Sequence, residues 1–108
     1  MPADSAVPPW ATSNNFSSIT RTDDELSIVC PSENVPQQYR DAIQWVCFKL
    51  EGPFPFSSVG ILESFIAPLA DAKIPIFAVS TYETDYVLVK EEDAERAIEV
   101  LQNAGHLI

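Results

Sequence analysis

The second half of the chain alternates apolar runs with breaks in an order that few folds allow. Residues 43–51 form a run rich in β-branched and aromatic side chains, and a Gly-Pro pair ends it. An amphipathic stretch follows, and two further apolar runs occupy residues 74–82 and 85–90. A second amphipathic stretch, at residues 93–104, leads to a short apolar end. The order therefore predicts strand, helix, strand, strand, helix and strand between residues 43 and 108.

The first predicted helix is amphipathic and contains a proline. Ser57 or Ser58 can cap its start through a hydroxyl group, and the helical pattern continues to about Ala72. Its apolar stripe consists of residues three or four positions apart, namely Leu62, Phe65, Ile66 and Leu69. Pro68 removes one helical hydrogen bond and is expected to kink the helix or to begin its final, irregular turn. Gly105 is a suitable C-terminal cap for the second helix, and a short last strand follows it.

The first 42 residues divide into an arm and a partial copy of the same pattern. Residues 1–15 are polar and rich in proline, and Trp10 is expected to pack them onto a surface of this chain or of a partner. Residues 16–42 contain two short β-rich runs joined by a Thr-Asp-Asp turn, and a weak helical signal follows. This hairpin matches the one at residues 76–90 at an offset of about 60 positions, so we predict a partial first unit without its opening strand.

The complete pattern is that of the ferredoxin-like fold. This is an α+β arrangement in which an antiparallel sheet carries both helices on one face. Residues 43–108 would form one such domain, and residues 16–42 a partial one. Because the partial unit leaves a strand edge open, and open edges pair readily with other chains, we expect a homodimer. Exchange of the N-terminal arm between subunits is one way to form it.

The charge balance argues against nucleic-acid and membrane partners. The chain has 16 acidic and 6 basic residues and a formal net charge of −10. A duplex-binding surface needs clustered Lys and Arg to neutralise phosphates, and an anionic membrane repels a chain of this charge. The charge is compatible with a cationic or zwitterionic ligand, although solubility alone also explains it.

Cysteine and histidine usage gives no sign of a metal site, a cofactor or a catalytic centre. Cys30 and Cys47 lie inside apolar runs without a CxxC spacing, so we expect buried free thiols in a reducing compartment. His106 is the only histidine, and a usual catalytic triad or zinc site needs further partners. No nucleophile can be paired with a base, so an enzyme is not expected. With no signal segment or membrane span in the sequence, the default location is the cytoplasm.

Three stretches resemble a known family. Residues 60–70 (GILESFIAPLA) and 76–92 (IFAVSTYETDYVLVKEE) resemble small ACT-domain proteins of the CASTOR-like type, and residues 20–31 (TRTDDELSIVCP) resemble the first hairpin of the same tandem. The resemblance implies a partial ACT unit followed by a complete ACT domain at residues 43–108. It also implies amino-acid binding and a regulatory role at interfaces between ACT units, without catalysis.

The first candidate site is the start of the predicted helix, at Ser58, Val59 and Gly60. A helix N-terminus presents backbone N–H groups and a partial positive charge, which suit a carboxylate. The resemblance implies that effector amino acids lie at this strand-to-helix turn, so Val59 and Gly60 match by position. An ordinary helix start, with a glycine required for packing, explains the same residues.

The second candidate group is acidic or polar and lies mostly at the second hairpin. An α-ammonium group or a basic side chain needs a carboxylate or carbonyl partner, and Glu63 and Asp85 can supply one. The resemblance implies that an acidic residue of this hairpin contributes to the ligand pocket. Ser80, Thr81 and Thr84 could add hydrogen bonds. A solvated turn, a solvated helix face and ordinary strand ends explain the same residues equally simply.

Two functions therefore remain after the sequence is read. The first is a non-catalytic regulatory module that binds a small amino acid at an interface between ACT units or subunits. The alternative is a structural dimerisation or protein-interaction domain that keeps the ACT fold without a ligand.

Overall fold

The fold is built on two antiparallel sheets, one in each of two units, Met1–Ala42 and Ile43–Ile108. The computed structural model describes residues 1–12, 15–40, 44–50 and 58–106. None of the helices in these ranges is long and apolar enough to cross a membrane. The interpretation of residues 16–42 as a partial ACT unit stays a prediction.

The first unit contains the hairpin predicted from the sequence. Strands β1 (Ser18–Arg21) and β2 (Leu26–Val29) pair antiparallel. Short 3-10 helices lie at Pro9–Ala11, Ser32–Asn34 and Gln37–Tyr39. Trp10 packs against Tyr39, with ring centroids 5.7 Å apart. Trp10 was expected to pack on a surface of this chain or of a partner, and it packs on its own unit.

The N-terminal residues are held along the β1–β2 hairpin. The Met1 ammonium group donates a hydrogen bond to the Leu26 carbonyl oxygen at 3.2 Å, and the Leu26 N–H donates to the Met1 carbonyl oxygen at 2.9 Å. The Arg21 guanidinium group donates to the carbonyl oxygens of Ala3 and Ser5, the latter at 2.8 Å. A single arginine side chain therefore fixes two points of this segment to β1.

The second unit has the first five predicted elements in the predicted order. Its elements are β3 (Trp45–Lys49), α1 (Ser58–Asp71), β4 (Ile76–Ser80), β5 (Asp85–Lys90), a 3-10 turn (Glu91–Asp93) and α2 (Ala94–Asn103). β5 lies in the centre of the sheet and pairs antiparallel with both β3 and β4. The order β3-β5-β4 is that of the first three strands of a ferredoxin-like sheet, as predicted.

The core lies between the sheet and the two helices. Side chains from α1, β5 and α2 that are at most 7% exposed meet there: Ile61, Phe65, Leu69, Val87, Val89, Ala97 and Leu101. Burial of one such large side chain contributes about 1.5–3 kcal/mol. Leu62 and Ile66 are only half-buried. The fully buried stripe of α1 therefore consists of Ile61, Phe65 and Leu69 at intervals of four; Phe65 and Leu69 were predicted, and Ile61 was not.

Both helices of the second unit end in the same type of turn. Lys73 follows α1 with a left-handed backbone (φ 59°), and Gly105 follows α2 in the same way (φ 97°). In each case the next residue donates its N–H back over five positions, from Ile74 to Leu69 at 2.9 Å and from His106 to Leu101 at 3.0 Å. This pattern is a Schellman motif. The predicted cap at Gly105 is confirmed.

Two expectations are wrong in the described residues. His106 closes the turn after α2 and lies outside any strand, so the predicted last strand is not seen there; the rest of it, residues 107–108, lies outside the described residues. Cys47 is exposed and Cys30 is half-buried, although both are free thiols. Successive residues of a strand face opposite sides. Because Val46 and Phe48 pack on the core, Cys47 points to the other face of the sheet.

Candidate functional site

The β4–β5 hairpin fixes one carboxylate at the end of the sheet. Ser80 ends β4 and lies opposite Asp85, which begins β5. The Ser80 hydroxyl group donates a hydrogen bond to Oδ1 of Asp85 at 2.5 Å. A hydrogen bond to a carboxylate is shorter and stronger than one between neutral groups. A carboxylate has about four acceptor positions, so one bond from Ser80 orients Asp85 and leaves room for a ligand.

The four residues between these strands form a tight turn around one hydroxyl group. The Thr81 hydroxyl donates to the Thr84 carbonyl oxygen at 2.9 Å and accepts from the Thr84 N–H at 3.1 Å. The Thr81 N–H also donates to that carbonyl oxygen, at 2.8 Å. Tyr82, at the tip, is 95% exposed. Thr81 and Thr84 were predicted as ligand contacts, and the structure shows them hydrogen-bonded to each other within the turn.

The first hairpin repeats this turn but has no carboxylate at the position that corresponds to Asp85. The Thr22 hydroxyl accepts from the Glu25 N–H at 3.2 Å, and the Thr22 N–H donates to the Glu25 carbonyl oxygen at 2.9 Å. Thr81 follows Thr22 by 59 positions, so the two hairpins correspond at one position less than the predicted offset of 60. Leu26, 1% exposed, then occupies the place of Asp85. The turn is thus a shared structural device, whereas Asp85 belongs to the second hairpin alone.

Asp85 also lies at the carboxyl end of the neighbouring strand. The Leu50 N–H donates to the Asp85 carbonyl oxygen at 3.0 Å, directly after β3 ends. The next described residue after Leu50 is Ser58, at the start of α1. The sheet order therefore brings the hairpin carboxylate beside the C-terminal end of β3, as expected for adjacent strands. Leu50 was not recognised from the sequence, because its contribution is a backbone group.

The other predicted site residues lie on α1. Ser58, Val59 and Gly60 are its first three residues, while Ser57, the alternative cap, lies outside the described residues. The first turn of a helix carries the positive end of the helix dipole, which favours a carboxylate. Glu63 is exposed one turn further along. The predicted residues thus form two groups, one at the hairpin and one at the start of α1.

A residue that the site prediction omitted contacts α1 directly. The His106 ring nitrogen Nε2 lies 2.9 Å from the Ser64 carbonyl oxygen. Its ring also meets the edge of Phe65, with centroids 5.2 Å apart. Within the described ranges, no three His, Cys, Asp or Glu side chains are grouped so that they could hold a metal ion.

Comparison with known proteins gives two family matches. The model of the ACT domain matches residues 42–103, which is more than half of the chain. A second family model, of an N-terminal domain, matches residues 1–38.

Individual relatives agree with these matches. Human CASTOR3P is 32% identical over 91 residues, which are 72% of this chain and 56% of that protein. The cytosolic arginine sensor for mTORC1 subunit 1 of Bos taurus is 27% identical over 97 residues, 80% of this chain and 30% of that protein. The chain thus spans about half or less of the length of these two relatives.

A solved structure extends the likeness to the fold. The crystal structure of an Agobacterium tumefaciens protein covers 98% of this chain and 79% of its own, with a TM-score of 0.86 and 48% identity. The predicted α+β, ferredoxin-like fold is confirmed by this likeness and by the ACT match. The chain belongs to the ACT-domain family and is a CASTOR-like member of it.

Proposed function

We propose that this chain is a non-catalytic regulatory module that binds a small amino acid where two ACT units or two subunits meet. The observation that carries the proposal is the Asp85 carboxylate, oriented by Ser80 beside the end of β3. A carboxylate in this position can accept hydrogen bonds from a ligand ammonium group. Ser80 reaches only one of its oxygens, so the other remains available to a ligand in this proposal.

The ligand carboxylate would bind at the opposite end of the site. The backbone amides of Val59 and Gly60, in the first turn of α1, suit an anion through the helix dipole. Glu63, exposed on the same helix, would face a basic ligand side chain. The formal net charge of −10 also favours a cationic ligand. Arginine is therefore the first ligand to test, and one relative is named as a cytosolic arginine sensor.

Regulation would follow from the place of the site. A ligand held between two ACT units favours the assembly in which both halves of the site are in contact, and this couples binding to assembly. The name of the relative supports a cytoplasmic location for the present chain as well. We propose a homodimer as the assembly.

Thermal-shift measurements with each of the twenty amino acids test the proposal. We expect at least one, with arginine first, to raise the melting temperature of the wild-type chain and to leave Asp85→Asn unchanged. Glu83→Gln is the matched control, because it makes the same carboxylate-to-amide change at an exposed turn residue. Agmatine, which lacks the carboxylate of arginine, should not stabilise the protein. Stabilisation by no amino acid, or an equal response in Asp85→Asn, would overturn the proposal.

The alternative is a dimerisation module without a ligand, and one feature of the sheet favours it. β4 pairs only with β5 among the described strands, so its other edge is open there. Its sequence, IFAVS, has no charged residue, and Phe77 is 40% exposed. Open apolar strands pair readily with other chains. Sedimentation with and without amino acids distinguishes the two functions, because a dimer that ignores every amino acid fits only the alternative.

A further inference from the structure

The Ser64 carbonyl group in α1 lacks its regular helical partner. In an α-helix, each carbonyl oxygen accepts a hydrogen bond from the N–H four residues later. The residue four positions after Ser64 is Pro68, and proline has no N–H. α1 nevertheless continues through Pro68 to Asp71, instead of becoming irregular at the proline.

A side chain from the end of α2 reaches this same carbonyl group. His106 Nε2 lies 2.9 Å from the Ser64 oxygen. A carbonyl oxygen can only accept, so Nε2 must carry the hydrogen of this bond. The neutral Nε2–H tautomer and the cationic ring both satisfy this requirement. The histidine therefore gives the helix the donor that its own backbone cannot provide.

The turn after α2 explains how His106 comes to lie there. Gly105 adopts a left-handed backbone (φ 97°), and the His106 N–H closes the turn on Leu101 at 3.0 Å. The ring then packs edge-on against Phe65, the neighbour of Ser64, at 5.2 Å. Phe65 in turn contacts Phe48 of β3, with centroids 5.8 Å apart. These contacts join the end of α2, the middle of α1 and β3.

We propose that His106 is a positioning residue that replaces the hydrogen-bond donor missing at Pro68 and so fixes the N-terminal half of α1. The Ser64 hydroxyl group extends the connection towards the first turn of the helix, because it donates to the Ile61 carbonyl oxygen at 2.8 Å. Gly60 immediately precedes Ile61. The consequence for ligand binding rests on the function proposed above, whereas the replacement of the donor does not.

A double-mutant cycle without ligand tests the replacement. His106→Phe keeps a ring against Phe65 and removes the donor, and it should lower the melting temperature by about 4 °C. Pro68→Ala restores the backbone N–H, so His106→Phe should then cost only about 1 °C. His106→Gln, which retains an N–H donor, should recover part of the loss in the Pro68 background. An equal loss from His106→Phe in both backgrounds would overturn the proposal.

Nitrogen-15 NMR gives a readout that depends on the hydrogen bond itself. In the neutral form of the wild-type His106 ring, the single hydrogen should lie on Nε2, and the Nε2–H signal should be protected from solvent exchange. Pro68→Ala should weaken this protection, because the restored amide competes for the same carbonyl oxygen. A ring protonated only at Nδ1 at alkaline pH would contradict the proposed donor.

The ligand arm of the test uses the same variants and an amino acid that stabilises the wild-type chain. His106→Phe should weaken its binding by about threefold to tenfold, and Pro68→Ala in the same chain should restore most of the loss. If no amino acid binds the wild-type chain, the proposed function fails while the ligand-free cycle still decides the role of His106. If the two substitutions are non-additive in the ligand-free cycle but His106→Phe binds the amino acid with unchanged affinity, the extension to the ligand site is refuted.

Discussion

The Ser80 hydroxyl group donates a 2.5 Å hydrogen bond to the Asp85 carboxylate, across the last register pair of β4 and β5. Because the two residues are directly opposed in the sheet, the register brings the Ser80 hydroxyl group to the carboxylate that it orients. The corresponding pair of the first hairpin is Arg21 and Leu26, which cannot form such a bond. Asp85 is thus held in place by a contact that the shared turn does not require.

Removal of the Ser80 hydroxyl group should reduce ligand affinity without unfolding the hairpin. Ser80→Ala is expected to weaken amino-acid binding about threefold to tenfold, since a hydrogen bond to a charged group contributes roughly 1.5 kcal/mol or somewhat less at an exposed position. Ser80→Thr keeps the hydroxyl group and suits a strand, so it serves as the control. Titration calorimetry measures both. Wild-type affinity in Ser80→Ala would show that Asp85 does not need this bond.

The two Schellman turns predict that a glycine introduced at Lys73 stabilises the protein and that the loss of Gly105 destabilises it. Lys73→Gly should stabilise the protein by about 1 kcal/mol, because glycine adopts a left-handed backbone without the cost that lysine carries there. Gly105→Ala should destabilise it by a similar amount for the same reason, although the added Cβ would meet no atom within 4 Å. Urea unfolding measures both changes. A stabilising Gly105→Ala would contradict the assigned backbone conformation.

Arg21 should control the order of the N-terminal residues. Arg21→Ala removes the hydrogen bonds to Ala3 and Ser5 and should increase amide exchange in residues 3–6, with little effect on the second unit. Arg40→Ala is the matched control, because that guanidinium group binds the carbonyl oxygens of Val35 and Glu33. Hydrogen-exchange mass spectrometry separates the two. Equal exchange at residues 3–6 in both variants would show that Arg21 does not hold these residues in place.

Both cysteine thiols should make the protein less stable at alkaline pH. Neighbouring atoms keep part of the water away from each thiol, although Cys47 is exposed on its face of the sheet. This partial desolvation raises the pKa of Cys47 and, together with the charge of Glu33, that of Cys30. As the pH rises, the folded chain retains thiol protons that the unfolded chain has already released. The free energy of unfolding therefore has its full value below about pH 8.5 and decreases as the pH rises above it.

Urea unfolding as a function of pH tests this expectation. The decline between about pH 7.5 and pH 9.5 should be smaller in a chain with both Cys30→Ala and Cys47→Ala than in the wild type. An identical decline in both proteins would assign it to other groups. Iodoacetamide should also modify the folded thiols more slowly than free cysteine at neutral pH, because only the thiolate reacts.

The periodicity of the sequence was sufficient to predict the helices and strands but not the side-chain contacts within and between them. Both hairpins, α1 and α2 follow from local patterns of apolar residues and breaks. The offset of 59 between Thr22 and Thr81 depends on hydroxyl hydrogen bonds inside each turn, which periodicity does not detect. Cys47 appeared buried because its run is apolar, yet the alternation along β3 turns it away from the core.

The role of His106 could be found only in three dimensions. Its position beside Ser64 depends on the backbone conformation of Gly105, 41 residues further along the chain than Ser64. A partial signal was present in the sequence, because Pro68 marks Ser64 as a carbonyl without its helical donor. No pattern in the chain identified which donor would replace it. Asp85, in contrast, could be proposed from the sequence because the resemblance pointed to this hairpin.

A crystal structure of the chain grown with the stabilising amino acid tests the central claim most directly. The account predicts the ligand ammonium group within about 3 Å of Asp85 and the ligand carboxylate at the amides of Val59 and Gly60. It also predicts a second ACT unit or subunit closing the site. An amino acid bound away from Asp85, or no bound amino acid at saturating concentration, would contradict the account.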